Sequence, residues 1–539
     1  MATRQTLIDQ LSQRAAAEVG SLHKDAPLRV AMAYPSPYHV GMSSLGFQAI
    51  AREVFLHDGA APERVFLPDD VEAWTRAKLP PVSEETHRPL HAFDVIAFSV
   101  AYELELPGLF TLLELAGLPV LREARTAEHP LVIAGGPLTF SNPDPLEPFV
   151  DVLVQGEAED TIHQLLHEVQ GATSRDSLLG RLALMPGFRV PGRSAESTRF
   201  AVAKAGDERL PARSVIVTPN TELTNMFLIE PERGCSRGCH YCVMRRTTNG
   251  GMRTVPPERV LELIPQSARR VGLVGAAVTD HPRIVELLDT IVEAGRQVGV
   301  SSLRADRLTL PLVSALKRGG AQVLTVASDG ASQRMRDLVD RKHSETQLLN
   351  AARLAKEAGL RRLKVYNVVG LPHETDDDVD ELVRFTLELA KVLPVALGVA
   401  PFAAKRNTPL DGAPFAGIDV IESRLARIRK GLKGRAELRP TSARWAWVEY
   451  MLAQSGPEGG LAALMAHRAG GTFAAWKRAF AEVGCQPYEA RRTVDGRRRA
   501  TEWPSVGPKG AAPVMPAAEV AEALQPGVVK DWGALLPGR

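Results

Sequence analysis

The sequence predicts an α/β protein with a doubly wound, Rossmann-like parallel sheet, then a full or partial β/α barrel, then a helical C-terminal region. Two observations indicate this class: buried strands alternate with helices over residues 28–170, and a second such series begins at residue 225. Strand–helix–strand repeats return each strand in the same direction, so both sheets should be parallel. A chain of 539 residues also exceeds one hydrophobic core, which favours about two to four domains.

The first series predicts the doubly wound sheet from four apolar runs that end in turn residues. These runs are 28–36, 93–100, 130–137 and 150–156. The helical stretches that follow strands are 44–59, 105–118 and 159–169. Ligands of open parallel sheets bind beyond the carboxyl ends of the strands. We therefore expect binding loops at residues 34–46, 99–102, 135–142 and 156–159.

The second series predicts the barrel. Its six strands are 225–230, 271–275, 298–303, 322–328, 362–369 and 396–402. Helical stretches such as 257–271 and 344–360 separate them. Barrel chemistry takes place at the C-terminal ends of the strands, so the loops that follow these strands are the candidate active site.

Pattern and composition divide the chain into six segments. We expect an N-terminal helix, the Rossmann-like domain, a weakly patterned linker with a few strands, the barrel, a helical C-terminal domain and a loosely ordered Pro/Gly-rich tail. Their bounds are 1–27, 28–175, 176–222, 223–435, 436–500 and 501–539.

Composition excludes several classes of protein. Net charge is +2, with 45% hydrophobic and 24% charged residues, so no global field favours nucleic acid. The Arg-rich stretch at 491–499 is interpreted as a solvated tail or loop rather than a phosphate-binding patch. The first 20 residues lack an apolar signal core, and no run of 18 apolar residues exists. We expect a cytoplasmic protein without a membrane span.

Three of the four cysteines, Cys235, Cys239 and Cys242, fall within eight residues. In a reducing compartment such clustering indicates a metal site rather than a disulfide framework. The spacing is Cys-x3-Cys-x2-Cys, in the loop just after the first barrel strand. Three thiolates can bind three irons of a cubane and leave the fourth iron open. Gly234 and Gly238 let the backbone fold closely around such a cluster.

Zinc is the alternative at this loop, and it would require a fourth ligand from His240 or Cys485. Because His240 directly follows Cys239, whereas zinc ligands usually come in spaced pairs, the cluster is favoured. Cys485 is expected to be a buried, inert thiol. In the helical stretch 445–485, Trp445, Trp447 and Trp476 are expected in the core.

With Tyr241 at the aromatic position, the loop resembles the Cys-x3-Cys-x-aromatic-Cys signature of the radical S-adenosylmethionine (AdoMet) superfamily. The resemblance implies a [4Fe–4S] cluster on Cys235, Cys239 and Cys242, which are then both metal ligands and catalytic residues. It implies that AdoMet chelates the open iron. One electron, from an external donor of the flavodoxin or ferredoxin type, would cleave AdoMet to methionine and a 5′-deoxyadenosyl radical.

Later strand ends resemble the same superfamily, and the resemblance implies that they bind AdoMet. The segment LVGAAVTDHP stands where relatives carry a Gly-Gly-Glu-like sequence that contacts the AdoMet amino group. The acid is missing here, so the small residues can offer AdoMet only their backbone groups. Arg304 follows strand three, and Asp329 follows strand four. The segment VYNVVGLPHET resembles a Gly-Leu-Pro-x-Glu-Thr segment that passes the adenine of AdoMet in relatives. The implied contacts are Gly275, Ala276, Arg304, Asp329, Asn367 and Gly370.

Two of these residues suit particular groups of AdoMet. Arg304 suits the carboxylate because its planar fork donates two parallel hydrogen bonds. Asp329 suits the ammonium or the ribose hydroxyls because an ionised carboxylate only accepts. The alternative is a structural ion pair, between these two residues or between Arg304 and Asp306.

The first domain resembles the cobalamin-binding-type domains that precede radical AdoMet barrels in one subgroup. Residues 134–160 carry that group's Gly-Gly, Asn-Pro, Asp and Gly-Glu-x-Glu pattern. The resemblance implies cobalamin between this domain and the barrel. The Asp-x-His-x-x-Gly motif of a lower cobalt ligand is absent, since His39 lacks the Asp and has the wrong spacing to glycine. A domain that has lost cobalamin is the alternative.

These observations predict a radical AdoMet enzyme acting on an unidentified substrate, with cobalamin-dependent methylation as one form of that chemistry. A tRNA-modifying, methylthiotransferase-like radical enzyme is the first alternative. The sequence lacks the second three-cysteine set of that family, and nucleic acid is not an expected partner. A non-catalytic iron–sulfur scaffold is the second alternative.

Overall fold

The computed structural model describes residues 3–194, 200–203, 208–244 and 251–485. These form two compact units. The described part of the first contains residues 3–17, 21–194, 200–201 and 451–485, and that of the second contains 18–20, 202–203, 208–244 and 251–450. The expected Arg-rich stretch at 491–499 and the tail at 501–539 lie outside the described residues.

The first unit alternates strands and helices as the sequence predicts. Its strands are β1 (Leu28–Tyr34), β2 (Ala60–Phe66), β3 (Val95–Ser99), β4 (Leu131–Gly135), β5 (Val152–Val154) and β6 (Phe188–Arg189). Its helices up to residue 182 are α1 (Arg4–Ala16), α2 (Tyr38–Gly41), α3 (Leu45–Leu56), α4 (Val71–Arg76), α5 (Leu106–Leu115), α6 (Leu138–Ser141), α7 (Ala158–Gln170) and α8 (Arg175–Leu182).

These strands form one sheet in the order β2-β1-β3-β4-β5-β6. All neighbours are parallel except β5 and β6, which are antiparallel. The chain runs outward from β1 to β2 and then returns past β1 to β3, so the order reverses between β1 and β3. Such a reversal is the usual ligand crevice of a doubly wound sheet. The predicted Rossmann-like class is confirmed.

The sequence did not predict β2. This strand carries Glu63 and Arg64, which interrupt the apolar run but are both buried. Glu63 accepts a hydrogen bond from Ser83 at 2.6 Å, and the Arg64 side chain donates to Glu85 at 2.6 Å. A buried polar pair with its partners in place is tolerated in a strand, but hydropathy does not reveal it. In the stretch predicted as a linker, α8 and β6 are likewise added to this unit.

The second unit holds the barrel. Its strands are β7 (Met226–Ile229), β8 (Glu232–Gly234), β9 (Met252–Thr254), β10 (Arg270–Leu273), β11 (Gln297–Val300), β12 (Val323–Ala327), β13 (Arg362–Val369), β14 (Val395–Pro401) and β15 (Glu437–Pro440). Its helices are α9 (Pro257–Glu262), α10 (Ile284–Glu293), α11 (Leu310–Arg318), α12 (Gln333–Leu338), α13 (Glu345–Glu357), α14 (Asp376–Val392), α15 (Ile418–Leu432) and α16 (Ala443–Gln454), within which the unit ends.

Seven of these strands run parallel in chain order as two ladders. One ladder is β11-β10-β7 and the other is β12-β13-β14-β15. A single parallel bridge between Leu303 and Val326 joins the ladders where strands three and four end. Within the described residues no pairing joins β7 to β15, so the barrel is partial. The six predicted strands are all present, and β15 and the β8–β9 hairpin are additions.

The barrel core lies between the strands and the surrounding helices. In α10 the apolar residues Leu287, Leu288 and Ile291 share one face and are almost completely buried. Burying a side chain of this size stabilises the fold by roughly 1.5–3 kcal/mol. The opposite face of the helix carries Glu286 and Asp289, as the 3.6-residue period requires. This packing fixes the strand ends on which the candidate site depends.

The remaining helices, α17 (Pro457–Arg468) and α18 (Phe473–Glu482), belong to the first unit. Asn142, which is fully buried, explains this grouping because its amide donates to the carbonyls of Leu452, Ala453 and Ser455. The predicted helical character of this region is confirmed. No helix in the described part of the chain is both long and apolar enough to cross a bilayer.

Candidate functional site

The three clustered cysteines lie on one loop that directly follows the β8 strand. Cys239 is buried, Cys235 and Cys242 are half-buried, and all three thiols are free. Burial raises the pKa of the Cys235 and Cys242 thiols, and the neighbouring cysteine thiolates raise it further. The three sulfurs are therefore close enough to interact electrostatically. Cysteine thiolates are the donor type that iron–sulfur clusters use.

In the described part of the chain, an N–H group is directed at each of these sulfurs. The Arg237 backbone N–H donates to Cys235 Sγ at 3.4 Å, and the Met244 backbone N–H bonds to the Cys242 thiol. The third donor comes from a side chain, since Arg341 Nη1 lies 3.8 Å from Cys239 Sγ. Hydrogen bonds to cluster sulfurs are typical of iron–sulfur sites.

His240 fixes the middle of the cysteine loop. Its backbone N–H donates to the Val339 carbonyl at 2.9 Å, and its Nδ1 donates to the Leu338 carbonyl at 2.9 Å. Its own carbonyl accepts from the Leu410 N–H at 3.0 Å. Nδ1 is thus occupied as a donor and offers no lone pair to a metal. These contacts give His240 a role in loop geometry.

Tyr241 points from the loop toward the end of strand four. Its hydroxyl donates to Asp329 Oδ2 at 2.7 Å. Burial, and next the negative charge of Asp329, raise the pKa of Tyr241 far above its ordinary value. Asp329 has a left-handed backbone (φ 56°) and lies 3.1 Å from Arg341 Nε as an ion pair. Tyr241, Asp329 and Arg341 thus form one connected group beside Cys239.

Arg304 is placed differently from the role that the resemblance implies. It is only 6% exposed, and its guanidinium bonds to Asp280 and, at 2.6 Å, to Asp306. The structure therefore shows the ion pair with Asp306 that the sequence offered as an alternative, and shows none between Arg304 and Asp329 among the described residues. Binding of the AdoMet carboxylate by Arg304 stays a prediction, and it would require this network to open.

The same network connects the cysteine loop to strand three. Arg237 bonds to Asp306, and Ser236 Oγ donates to Asp280 at 2.8 Å. His343 joins from the far side: its ring nitrogens lie 2.9 Å from Asp306 and 3.1 Å from the Ala327 carbonyl. Both partners thus offer hydrogen-bond acceptors to the His343 ring. Burial alone would raise the pKa of Asp306, but the hydrogen bond from His343 holds it below its usual range.

Gly275 and Ala276 lie at the end of strand two, as predicted, but the local chemistry depends on Glu232. This glutamate is fully buried, and its Oε1 accepts from the Ala277 N–H at 2.7 Å. A Cβ atom at Gly275 would lie 2.1 Å from that oxygen, so a larger residue there would displace the Glu232 carboxylate. Burial raises the pKa of Glu232 to about 7. Its other oxygen is buried without a partner within the described residues. Ala276 is exposed.

Asn367 and Gly370, at the end of strand five, shape neighbouring loops. Asn367 is 2% exposed and its Oδ1 accepts from the Gly330 N–H at 3.0 Å, which holds the loop that carries Asp329. Gly370 has a positive φ of 84°, and its N–H donates to Glu374 at 2.8 Å. Arg424 bonds to the same carboxylate oxygen at 2.8 Å. Direct AdoMet contact by these two residues stays a prediction.

The strand-end loops of the first unit pack closely on one another. Glu105 accepts from Ser36 Oγ at 3.1 Å and from the Ala101 N–H at 2.6 Å, which joins the loops after β1 and β3. Burial raises the pKa of this carboxyl. His39 lies on α2 with a side chain that is 47% exposed and 3.8 Å from Asp69.

Sequence reasoning missed Glu232, Asp280, Arg341 and His343. Asp280 and Glu232 stand within a few residues of predicted strand ends, and that position was the available signal. Arg341 and His343 lie in the loop between α12 and α13, about 100 residues after the cysteines, and their contacts with the site form only in the folded chain.

Comparison with known families matches two regions of the chain. Residues 46–191 match the family described as "Radical SAM proteins, N-terminal", and residues 229–386 match the "Radical SAM superfamily". The second region contains the cysteine loop, Arg304, Asp329 and Asn367. Together the two regions span more than half of the 539 residues.

Three related proteins illustrate the extent of the similarity. An uncharacterised protein of Methanocaldococcus jannaschii is 25% identical over 406 residues, covering 72% of this chain and 80% of that protein. An uncharacterised methyltransferase of Pyrococcus horikoshii is 22% identical over 274 residues, covering 49% and 59%. The cobalamin-dependent radical SAM methyltransferase TokK of Streptomyces tokunonensis is 26% identical over 316 residues, covering 52% and 44%. The chain therefore spans less than two thirds of either methyltransferase.

Proposed function

Because the chain belongs to the radical SAM superfamily, we propose that this enzyme holds a [4Fe–4S] cluster on Cys235, Cys239 and Cys242 and cleaves AdoMet reductively there. The observation that carries the proposal is the donor set. Three free thiols share one loop, and each sulfur has an N–H donor within the described part of the chain. Three protein ligands leave one iron of a cubane open to AdoMet.

When bound, the cluster supplies the electron that splits AdoMet into methionine and a 5′-deoxyadenosyl radical. The chain's own residues orient the reactants. His240 holds the loop backbone between the second and third cysteines. Asp329 directs its carboxylate to the cysteine loop through Tyr241, and an ionised carboxylate there accepts from an ammonium or from ribose hydroxyls. An external one-electron donor of the flavodoxin or ferredoxin type reduces the cluster.

The finer proposal is cobalamin-dependent methylation of a carbon atom in a substrate that is not identified. It is supported by the similarity to TokK, which is named a cobalamin-dependent radical SAM methyltransferase. The strand-end loops of the first unit support it as well. These loops lie at the reversal point of a doubly wound sheet, which is the usual ligand crevice of that fold. His39 is engaged by Asp69 at the surface and is not proposed as a cobalt ligand.

The test uses the full chain, purified anaerobically, reconstituted with iron and sulfide, and offered cobalamin. After reduction with dithionite, chromatography should detect 5′-deoxyadenosine from AdoMet, accompanied by S-adenosylhomocysteine where methyl transfer occurs. An intact cluster that yields neither product contradicts the proposed activity.

The control compares two changes of cysteine. Replacing Cys235, Cys239 and Cys242 together with Ala should remove the broad visible absorption and nearly all the iron. Cys485→Ala changes the remaining cysteine, which is buried and outside the loop, and should retain the iron. A triple variant that keeps its iron contradicts the assignment.

A further inference from the structure

The donor to Cys239 differs in kind from the donors to the other two cysteine sulfurs. Cys235 and Cys242 each receive a backbone N–H from two residues further along the same loop. Cys239 receives a guanidinium N–H from Arg341, at 3.8 Å and 102 residues away in sequence. Among the described residues, Cys239 is thus the sulfur of the three that has a charged donor, and this donor belongs to a separate loop.

Arg341 is held firmly in this position. Its backbone N–H donates to the Arg336 carbonyl at 2.9 Å, and its Nη2 donates to the Ala327 carbonyl at 3.3 Å. The residues on either side, Asp340 and Lys342, both have left-handed backbones, with φ of 53° and 55°. Non-glycine residues adopt this conformation rarely, and such residues concentrate at functional sites.

The side chain of Arg341 is only 13% exposed, so its charge is weakly screened by solvent. Reduction of a cluster adds one negative charge, which a nearby cation stabilises. Net charge, hydrogen bonds to the sulfurs and solvent exposure are the factors through which a protein sets the potential of an iron–sulfur cluster. All three factors meet at Arg341.

We propose that Arg341 raises the reduction potential of the cluster through Cys239, acting as a positioning residue that makes the cluster easier to reduce. This inference rests on the proposed function. Asp329, 3.1 Å from Arg341 Nε, partly cancels the positive charge. The two residues therefore act on the potential in opposite directions.

The experiment is a redox titration of the reconstituted full-length protein, followed by electron paramagnetic resonance of the reduced cluster. Arg341→Gln should shift the ratio of oxidised to reduced cluster at least tenfold toward oxidised, which is about 59 mV lower for a one-electron couple. Arg341→Lys, which keeps the charge, should lie closer to the wild-type protein. Asp329→Asn should shift the potential upward.

The matched control is Lys342→Gln, which removes the same charge from the adjacent residue. The Lys342 side chain is 63% exposed and pairs with Asp340 at 3.2 Å, so its variant should keep the wild-type potential. An unchanged potential in Arg341→Gln, or an equal shift in Lys342→Gln, overturns this inference. If the wild-type cluster forms and cleaves AdoMet in either of those cases, the proposed function stands. A wild-type protein that binds no cluster overturns both.

Discussion

Tyr241 donates its hydroxyl hydrogen to Asp329 Oδ2 over 2.7 Å, and this bond joins the cysteine loop to the end of strand four. The two residues are 88 positions apart in the chain, so the bond exists only in the folded barrel. Asp329 receives Tyr241 on one side and faces Arg341 on the other. Two partners, one on each side, therefore fix the direction of its carboxylate.

This relationship predicts that Asp329→Asn weakens AdoMet binding about ten- to a hundredfold. A hydrogen bond to a charged group contributes roughly 1.5–3 kcal/mol, which corresponds to that loss of affinity. Calorimetry with protein of full cluster content measures the dissociation constant. Tyr241→Phe removes the orienting hydroxyl but leaves the carboxylate, so we expect a smaller loss. Unchanged affinity in Asp329→Asn would exclude this residue from the binding site.

Arg304 leads to a prediction about stability. Its guanidinium lies between Asp280 and Asp306, whose side chains are 5% and 12% exposed. Removing one partner of a buried ion pair costs about 3–5 kcal/mol, because charges are left uncompensated. Arg304→Ala should lower the melting temperature by several degrees in thermal denaturation. The control is Arg307→Ala, since Arg307 is 59% exposed and lies 3.8 Å from the same Asp280.

The AdoMet affinity of Arg304→Ala separates two roles for this arginine. If Arg304 serves the charge network alone, affinity measured below the melting temperature should change less than twofold. A tenfold loss, with the cluster intact, would instead mean that Arg304 leaves the network to bind the AdoMet carboxylate.

The strands were predictable because their signals are local. Strand five was expected at 362–369, and β13 spans Arg362–Val369. The helix expected over 257–271 ends at Glu262, and Pro265 follows, which cannot continue a helix. Strand β2 was missed because Glu63 and Arg64 interrupt its apolar run. These two residues gain their hydrogen-bond partners, Ser83 and Glu85, only when the chain folds. Local patterns thus give the class of fold, and tertiary partners explain the exceptions.

The candidate site was predictable only in part, for a related reason. The three cysteines could be identified from their spacing, because they fall within eight residues. Arg341 and His343 reach the site from a loop about 100 residues later, and no local pattern reports such a contact. The pairing of Arg304 with the nearby Asp306 was one of the alternatives that the sequence offered, whereas its second partner, Asp280, comes from the loop after strand two.

Glu232 gives a prediction about pH. Burial raises its pKa from 4.5 to about 7. Below pH 4.5 the carboxyl is protonated in both folded and unfolded chains and costs nothing. Between about pH 4.5 and 7 the unfolded chain releases its proton first, so stability falls as pH rises, by roughly 3 kcal/mol in total. Glu232→Gln should therefore raise the melting temperature at pH 8 and leave it nearly unchanged at pH 4.5.

A further prediction concerns the close contact between Glu232 and Gly275. Because a Cβ there would lie 2.1 Å from Glu232 Oε1, Gly275→Ala should be destabilising. Glu232→Ala removes the two nearest atoms and leaves the Glu232 carbonyl oxygen, 3.2 Å from that Cβ, so the same substitution should cost less there and the two changes should be non-additive. The control is Gly46→Ala. Gly46 lies in a helix and a Cβ there would meet no atom within 4 Å, so this substitution should be tolerated. Gly295 is unsuitable as a control because its positive φ of 72° disfavours alanine. Additive effects at Gly275 and Glu232 would contradict the contact.

The last prediction concerns cobalamin and His39. Tyr38 and Gly41, on the same helical turn, are buried, and a Cβ at Gly41 would lie 2.5 Å from the Phe66 ring. This packing turns His39 toward solvent, where its side chain is 47% exposed and faces Asp69. A histidine that is exposed in this way is poorly placed to reach a cobalt ion over the strand ends. We therefore expect bound cobalamin to lack a histidine ligand below the cobalt.

The measurement is electron paramagnetic resonance of the Co(II) form after reconstitution and desalting. The spectrum should show no splitting from an axial histidine nitrogen, and His39→Ala should leave both the spectrum and the amount of retained corrinoid unchanged. Asp69→Ala is the matched control, because it releases His39 without removing the ring. Nitrogen splitting that disappears in His39→Ala would contradict the prediction. A wild-type protein that retains no corrinoid after desalting would identify the first unit as a domain that has lost cobalamin.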